Sequence, residues 1–358
     1  MKPFVRNVRR TAAISLVAFA VLAPSLGNAP QSVGTVSAGA PSALAALSGV
    51  VGPANATAVA VRSTPPAPPP SAFPTSASVG LPSGTSLRSW PWSLSTSAAT
   101  GVPVEQVNGM TCLVFDGYLV SLSGSQALIV DSPCVVFRRS RFITSGDTHS
   151  MVNAASASKY LEVGFSDFDG GQWHTRGIQS DYASMFIHHS EFTRFGNAAV
   201  EMNDRSGKST MTVENSYFYE PPGWQKAAHA DGIQMSAGGG ASIRNNTIII
   251  EPFGGAVGDY SYISNSAIGI GTSLGNIGAV AIDHNLISGG GYSVYVQDKE
   301  YSFTSSVSVT NNVFSRQLST TCGVWGPLFP RDIAPGLVWT NNTWDAGEVM
   351  TLQEALSY

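Results

Sequence analysis

The chain has 358 residues, of which only 12% are charged, while glycine (37) and proline (21) are plentiful. Sparse charge with many turn-formers excludes coiled coils and helical bundles and points to a β-rich chain. Charge is also uneven: no acid precedes Glu105, and residues 105–358 hold thirteen bases against twenty-three acids, a balance of −10, which excludes a nucleic-acid partner because phosphate binding needs a basic footprint.

In chain order, Lys2, Arg6, Arg9 and Arg10 precede an apolar run from Ala12 to Ala23, and the small residues Gly27-Asn28-Ala29 follow. This is the pattern of a signal peptide over 1–29, with an apolar core shorter than the roughly 20 residues of a spanning helix. A one-pass anchor is the alternative, and no cysteine follows that would mark a lipoprotein. Residues 30–104 contain no carboxylate and are dominated by Ala, Ser, Pro, Gly and Thr, with Pro65-Pro66-Ala67-Pro68-Pro69-Pro70 as the extreme. Such a stretch reads as a disordered linker that holds the rest away from a cell wall or membrane surface. The protein is therefore expected to be secreted or held at the cell surface, as a monomer.

From about residue 110 a short pattern recurs: RRSRF (138–142), GFSDF (164–168), HHSEF (188–192), ENSYF (214–218), RNNTI (244–248), DHNLI (283–287), TNNVF (310–314) and TNNTW (340–344). Successive final positions are 26, 24, 26, 30, 39, 27 and 30 residues apart. Periods of this size mean a solenoid. Short alternating stretches such as MTVENSYF (211–218) and VSVTNNVF (307–314) are strands. Propeller repeats are longer, hexapeptide helices have shorter coils, and the leucine framework of leucine-rich repeats is missing. The expected fold is all-β: a right-handed parallel β-helix over 105–345, with three short strands per coil and about nine coils. The third motif position, Ser140, Ser166, Ser190, Ser216, Asn246, Asn285, Asn312 and Asn342, would stack at one turn, bonding between coils about 4.8 Å apart. Cys112 and Cys134 are nearly one coil apart and could form a disulfide after export, which leaves Cys322 odd and buried. TLQEAL (351–356) is expected as a short helix in a cap over 346–358.

The coil pattern resembles the right-handed β-helix superfamily of pectate lyases, polygalacturonases and related polysaccharide enzymes. The resemblance covers roughly 110–345 and implies a substrate lying along the face of the first strand of each coil. Aligning coils on their inward aliphatics gives Ile178, Val200, Ile233, Ile268, Val294 and Val324. The next residue in each faces outward: Gln179, Glu201, Gln234, Gly269, Tyr295 and Trp325. Two residues further lie Asp181, Asn203, Ser236, Gly271, Gln297 and Pro327. Polar residues, a glycine-floored gap and then aromatics suit a sugar chain, although a solvated sheet face also alternates polar residues. The longest coil lies between Ile248 and Ile287, and solenoid insertions map to loops on one face. Tyr260 and Tyr262 in it, with Trp173 and Trp224, are candidate stacking residues, alternatively packing their loops onto the coil.

The sharpest local sequence is HADGIQ (229–234), which echoes HTRGIQ (174–179) two coils earlier and places Asp231 where Arg176 stands. It resembles the Asn-x-Asp-Gly stretch of polygalacturonases, in which the aspartate is catalytic. Histidine replaces the asparagine, and that family's Asp-Asp, Gly-His-Gly and Arg-Ile-Lys motifs are missing. Strict alternation puts His229 and Asp231 on the inward side of Ile233, so they reach solvent only as part of the incoming turn, where Asp231 could alternatively cap backbone N–H groups. Two chemistries can be built here. In β-elimination on a uronate polymer, Lys226, His229 or Arg176 would supply the base. Asp181, Glu201, Asn203 and Asp231 would be hard oxygen ligands for Ca²⁺. In inverting hydrolysis, Asp181 and Glu201, roughly 8 Å apart by strand geometry, would fall in the expected range of about 6.5–9.5 Å. A glycan-binding solenoid without catalysis is the third expectation.

Overall fold

The computed structural model describes residues 73–220, 229–251 and 264–358. The signal-peptide reading of 1–29, most of the linker, and Trp224, Lys226, Tyr260 and Tyr262 lie outside the described residues.

What makes the chain coil is a turn used eight times over. Arg139, Phe165, His189, Asn215, Asn245, His284, Asn311 and Asn341 all have φ between 46° and 56°, a left-handed conformation that turns the backbone sharply. The next residue is in every case the buried Ser or Asn of the repeat, with no exposure to solvent. Its backbone N–H donates to the Oγ or Oδ1 of its counterpart one coil on, at 2.9–3.3 Å. The serine half satisfies its hydroxyl locally, each Oγ donating to the carbonyl two residues back. The asparagine half does more. Each Nδ2 of Asn246, Asn285 and Asn312 donates to the next Oδ1 at 3.0 Å, and each also donates to a main-chain carbonyl of the coil before. An amide carries both donors and an acceptor, so it bridges in both directions where a hydroxyl bridges in one.

The result is a parallel β-solenoid of about nine turns. Each coil runs through a first, a second and a third strand, and the turn just described joins the second to the third. The third strands stack into a ten-stranded sheet, from Arg88–Ser89 to Thr343–Trp344. The first and second faces are joined by one strand, Asp231–Arg244, which runs through both. It rounds the corner on Gly238, Gly239 and Gly240. A Cβ at Gly240 would lie 2.4 Å from the Ala279 carbonyl oxygen, so only glycine lets the neighbouring coil approach there.

The final motif position faces inward on the third sheet and builds the core. Phe142, Phe168, Phe192 and Phe218 stack face to face at 4.3, 4.8 and 4.8 Å. The column continues in register through Ile248, Ile287, Phe314 and Trp344. Stacking at the coil repeat adds to the apolar area removed from water, which is worth about 1.5–3 kcal/mol for each large side chain.

Both ends are covered. At the N-terminal end Trp90 and Trp92 pack on Phe115, at 4.9 and 5.7 Å. At the other, the helix Leu352–Ala355 is capped by Thr351, and Leu352 and Leu356 lie on the core. Cys112 and Cys134 are bonded, with their Cα atoms 4.5 Å apart, and Cys322 is free and buried. Residues 73–104, read from composition as linker, differ from that reading: they lie on the solenoid. Arg88–Ser89 pairs with Tyr118–Leu122, and the stretch before it runs across several coils of the third face. Thr247 Oγ1 donates to the Pro74 carbonyl at 2.6 Å, Gly80 N–H to the His189 carbonyl at 2.8 Å, and Leu81 N–H to Asp167 Oδ1 at 2.6 Å. In each of these bonds residues 73–104 contribute a main-chain group, which composition does not report.

Asn285 bridges its neighbours on both sides, so Asn285→Ala orphans buried groups in two coils. At about 1–3 kcal/mol for each group left unpaired, it is expected to cost at least about 2 kcal/mol in urea unfolding. A loss below about 0.5 kcal/mol, the size of an ordinary surface change, would contradict this role for the ladder.

Candidate functional site

On the first face, Ile178, Val200, Ile233, Ile268 and Val294 pair across successive coils as the alignment places them. The last coil differs. Val294 pairs with Leu328, not Val324. Cys322 adopts φ +68° and its N–H closes a turn on the Ser319 carbonyl, so the strand begins only at Gly326. The outward row is therefore Gln179, Glu201, Gln234, Gly269, Tyr295 and Phe329, with the Tyr295 and Phe329 rings stacked at 4.9 Å. Trp325 leaves the row and lies beside it, 42% exposed, against Tyr292 at 5.7 Å. The row Asp181, Asn203, Ser236, Gly271 and Gln297 also shifts, because a bulge after Met202 pairs Asn203 with Ala237.

The corner entering each first strand explains where Asp231 points. Two consecutive residues face the core there: Ala199 with Val200, Ala267 with Ile268. Gly177 and Gly232 hold the same place, for a Cβ on Gly177 would meet the Phe195 ring, and one on Gly232 would meet Ile248. The first of each pair is small because the next coil's carbonyl crowds it, 2.5 Å from that Cβ at Gly232. Strict alternation thus fails at this corner, and the preceding residue faces outward. Asp231 Oδ1 comes within 3.5 Å of where a Gly269 Cβ would stand on the outer row.

Asp231 is fully buried, and three neighbours hold its carboxylate. Its Oδ2 lies 3.1 Å from His229 Nδ1. Oδ1 accepts from Asn265 Nδ2 at 2.8 Å and from Ser266 Oγ. His229 itself is half exposed, and its N–H donates to the Gly196 carbonyl at 3.0 Å. Burial pulls its imidazole towards the neutral form, but the Asp231 carboxylate, by charge and hydrogen bond, with Glu201 behind it, carries the pKa above the ordinary histidine value. Its counterpart His174 goes the other way: burial, then the nearby Arg176 and His229, lower it against Asp147. Arg176 and Glu201 form an ion pair, and Asn203 Nδ2 donates to Glu201 Oε1 at 2.9 Å. Gln179 Nε2 donates to Asp181 Oδ1 at 3.4 Å. Burial, chiefly, and the Asp231 charge hold the Tyr295 phenol well above the ordinary tyrosine range.

Asp231, His229, Arg176, Glu201, Asn203, Gln179 and Asp181 thus come together on one face, with Gln234 and Tyr295 along the same row. Asn265, Ser266, Tyr292 and Phe329 are additions. Ser266 stands one coil beyond Asp231 in register, so carrying the coil alignment through the corner finds it. Among the described residues no three His, Cys, Asp or Glu side chains gather to hold a metal ion. Of the four candidate Ca²⁺ ligands, Glu201 is engaged by Arg176 and Asn203, and Asp231 by three donors. No family model, no curated protein and no solved structure matches the chain.

By proton NMR, the His229 imidazole is expected to titrate above the ordinary value of about 6.5. Asp231→Asn should bring it down, and Glu201→Gln should lower it by less. A midpoint that Asp231→Asn leaves in place would contradict the pairing.

Proposed function

We propose that the chain is an exported enzyme of the right-handed β-helix superfamily of pectate lyases and related polysaccharide enzymes, and that it cleaves a uronate-containing glycan by β-elimination along the first face. The observation that carries this reading is the His229–Asp231 pair: a half-exposed imidazole whose Nδ1 is held by a fully buried carboxylate, which makes Nε2 the nitrogen that takes a proton. The pair stands mid-row, with the stacked rings of Tyr295 and Phe329 on its C-terminal side as a platform for sugar faces. Export is supported by the basic and apolar N-terminus and by the Cys112–Cys134 bond, which belongs to an oxidising compartment.

In this reading neutral His229 Nε2 removes the C5 proton of a uronate ring. The C4–O4 bond breaks, a C4–C5 double bond forms, and the leaving oxygen takes the proton of the Tyr295 phenol, which is protonated before the step and regains its proton afterwards, as His229 loses the one it took. Arg176, fixed by Glu201, is the cation set near the uronate carboxylate. No step is routed through Ca²⁺, because two of its four candidate ligands are already occupied. Inverting hydrolysis by Asp181 and Glu201 is less well supported, since both Glu201 oxygens are already engaged, by Arg176 and by Asn203.

The test is the ultraviolet absorbance of the unsaturated uronate product on a polysaccharide panel, with and without chelator. Activity is expected to survive chelation and to rise with pH as His229 loses its proton, with a midpoint above about 6.5. His229→Ala should lower the rate at least about 100-fold, and Asp231→Asn should move the midpoint to lower pH. Reducing ends without that absorbance would point to hydrolysis, and glycan retention with no cleavage would leave a binding solenoid.

A further inference from the structure

Two amide groups on the first face are oriented by carboxylates. Gln179 gives its Nε2 to Asp181, and Asn203 gives its Nδ2 to Glu201. Turning either amide over would set a carbonyl oxygen against a carboxylate oxygen, so the orientation is fixed by its partner. Both carbonyls, Gln179 Oε1 and Asn203 Oδ1, are consequently acceptors, and both are buried without a hydrogen-bond partner among the described residues. Gln179 is only 7% exposed on a face that points outward. Buried carbonyls left unpaired are uncommon and costly, at odds with a merely solvated surface.

Their position matters as much as their number. Gln179 and Glu201 are register partners in adjacent coils, and Glu201 pairs with Gln234 beyond them. The acceptors thus lie towards the far ends of their strands, whereas His174, Arg176 and His229 line the corner where those strands begin. The first face thus has two unlike rims, one of cationic and imidazole groups, the other of carbonyl and carboxylate oxygens.

We infer that the acceptor rim at Gln179 and Asn203 is a subsite for a sugar ring that presents hydroxyl or amine donors and carries no carboxylate. This rests on the elimination reading and narrows its substrate to an unsulfated heteropolymer, in which a uronate neighbours a neutral or amino sugar. A uronate or sulfate ester at this rim would set an anion against two carbonyl oxygens backed by Asp181 and Glu201. A donor-bearing ring would complete both carbonyls.

Calorimetric titration of the full-length chain in a His229→Ala background, where nothing is turned over, tests this with two probes, a hyaluronan octasaccharide and an octagalacturonate. The hyaluronan probe is expected to bind at least about tenfold more tightly, and Gln179→Leu and Asn203→Leu should each remove most of that preference while keeping the thermal unfolding transition. Equal binding of the two probes, a preference untouched by both folded variants, or no binding of either overturns the subsite. Should a variant fail to fold, the probe preference of the His229→Ala chain alone decides. Failure of the elimination reading looks different: the preference and its loss persist, but the unsubstituted chain never produces the ultraviolet absorbance from hyaluronan. Absorbance from polygalacturonate with no preference between the probes keeps the elimination and ends the subsite.

Discussion

Everything on the first face depends on the hydrogen bond from each turn's backbone N–H to the Ser or Asn side chain of the next coil. That bond fixes how one coil sits over another, and because side chains alternate along a strand, a slip of one residue would send the outward row into the core. The left-handed residue before each ladder position costs conformational free energy when it is not glycine, of order 1–2 kcal/mol. Arg139, Phe165 and His189 adopt it anyway. The ladder and the phenylalanine column below it offset that cost, one satisfying buried polar groups and the other removing aromatic surface from water.

The candidate site exploits the rigidity that follows. Asp231 is a carboxylate without solvent exposure, and such a group is tolerable only when its oxygens are paired. Asn265 and Ser266, from the next coil, supply two of those partners, and His229 supplies the third. A neighbouring coil therefore holds the carboxylate that holds the imidazole. Arg176 and Glu201 repeat the principle between two coils earlier in the solenoid. Small residues at the corner, Gly177, Ala199, Gly232 and Ala267, let two consecutive positions face inward, and this presents Arg176 and Asp231 on the outer side.

Periodicity made the fold readable. The repeat contained both the polar ladder and the apolar column, in positions separated by two residues, and so conveyed strand order, coil length and the register of the central coils. Cys112 and Cys134 were readable for the same reason. What escaped the sequence lay where the period breaks. A turn at Cys322 displaced the last strand, so that Phe329 rather than Trp325 follows Tyr295. The paired inward residues at the corner broke the alternation that would have turned Asp231 towards the core. Residues 73–104 bind through main-chain groups, two tryptophans and the hydroxyls of Ser95, Thr96 and Ser97 on Asp131, and their composition alone resembles a spacer. The ion pair of Arg176 with Glu201 joins residues 25 positions apart in sequence, and only the coil register brings them together.

Amide hydrogen exchange on the intact chain, with and without a hyaluronan octasaccharide, tests most directly whether the first face is where a glycan acts. The account predicts added protection in the strands Arg176–Ser180, Ala198–Asn203, Ser266–Gly271 and Tyr292–Gln297, with the outer second and third faces unchanged. Protection confined to those other faces, or none at all, would contradict it.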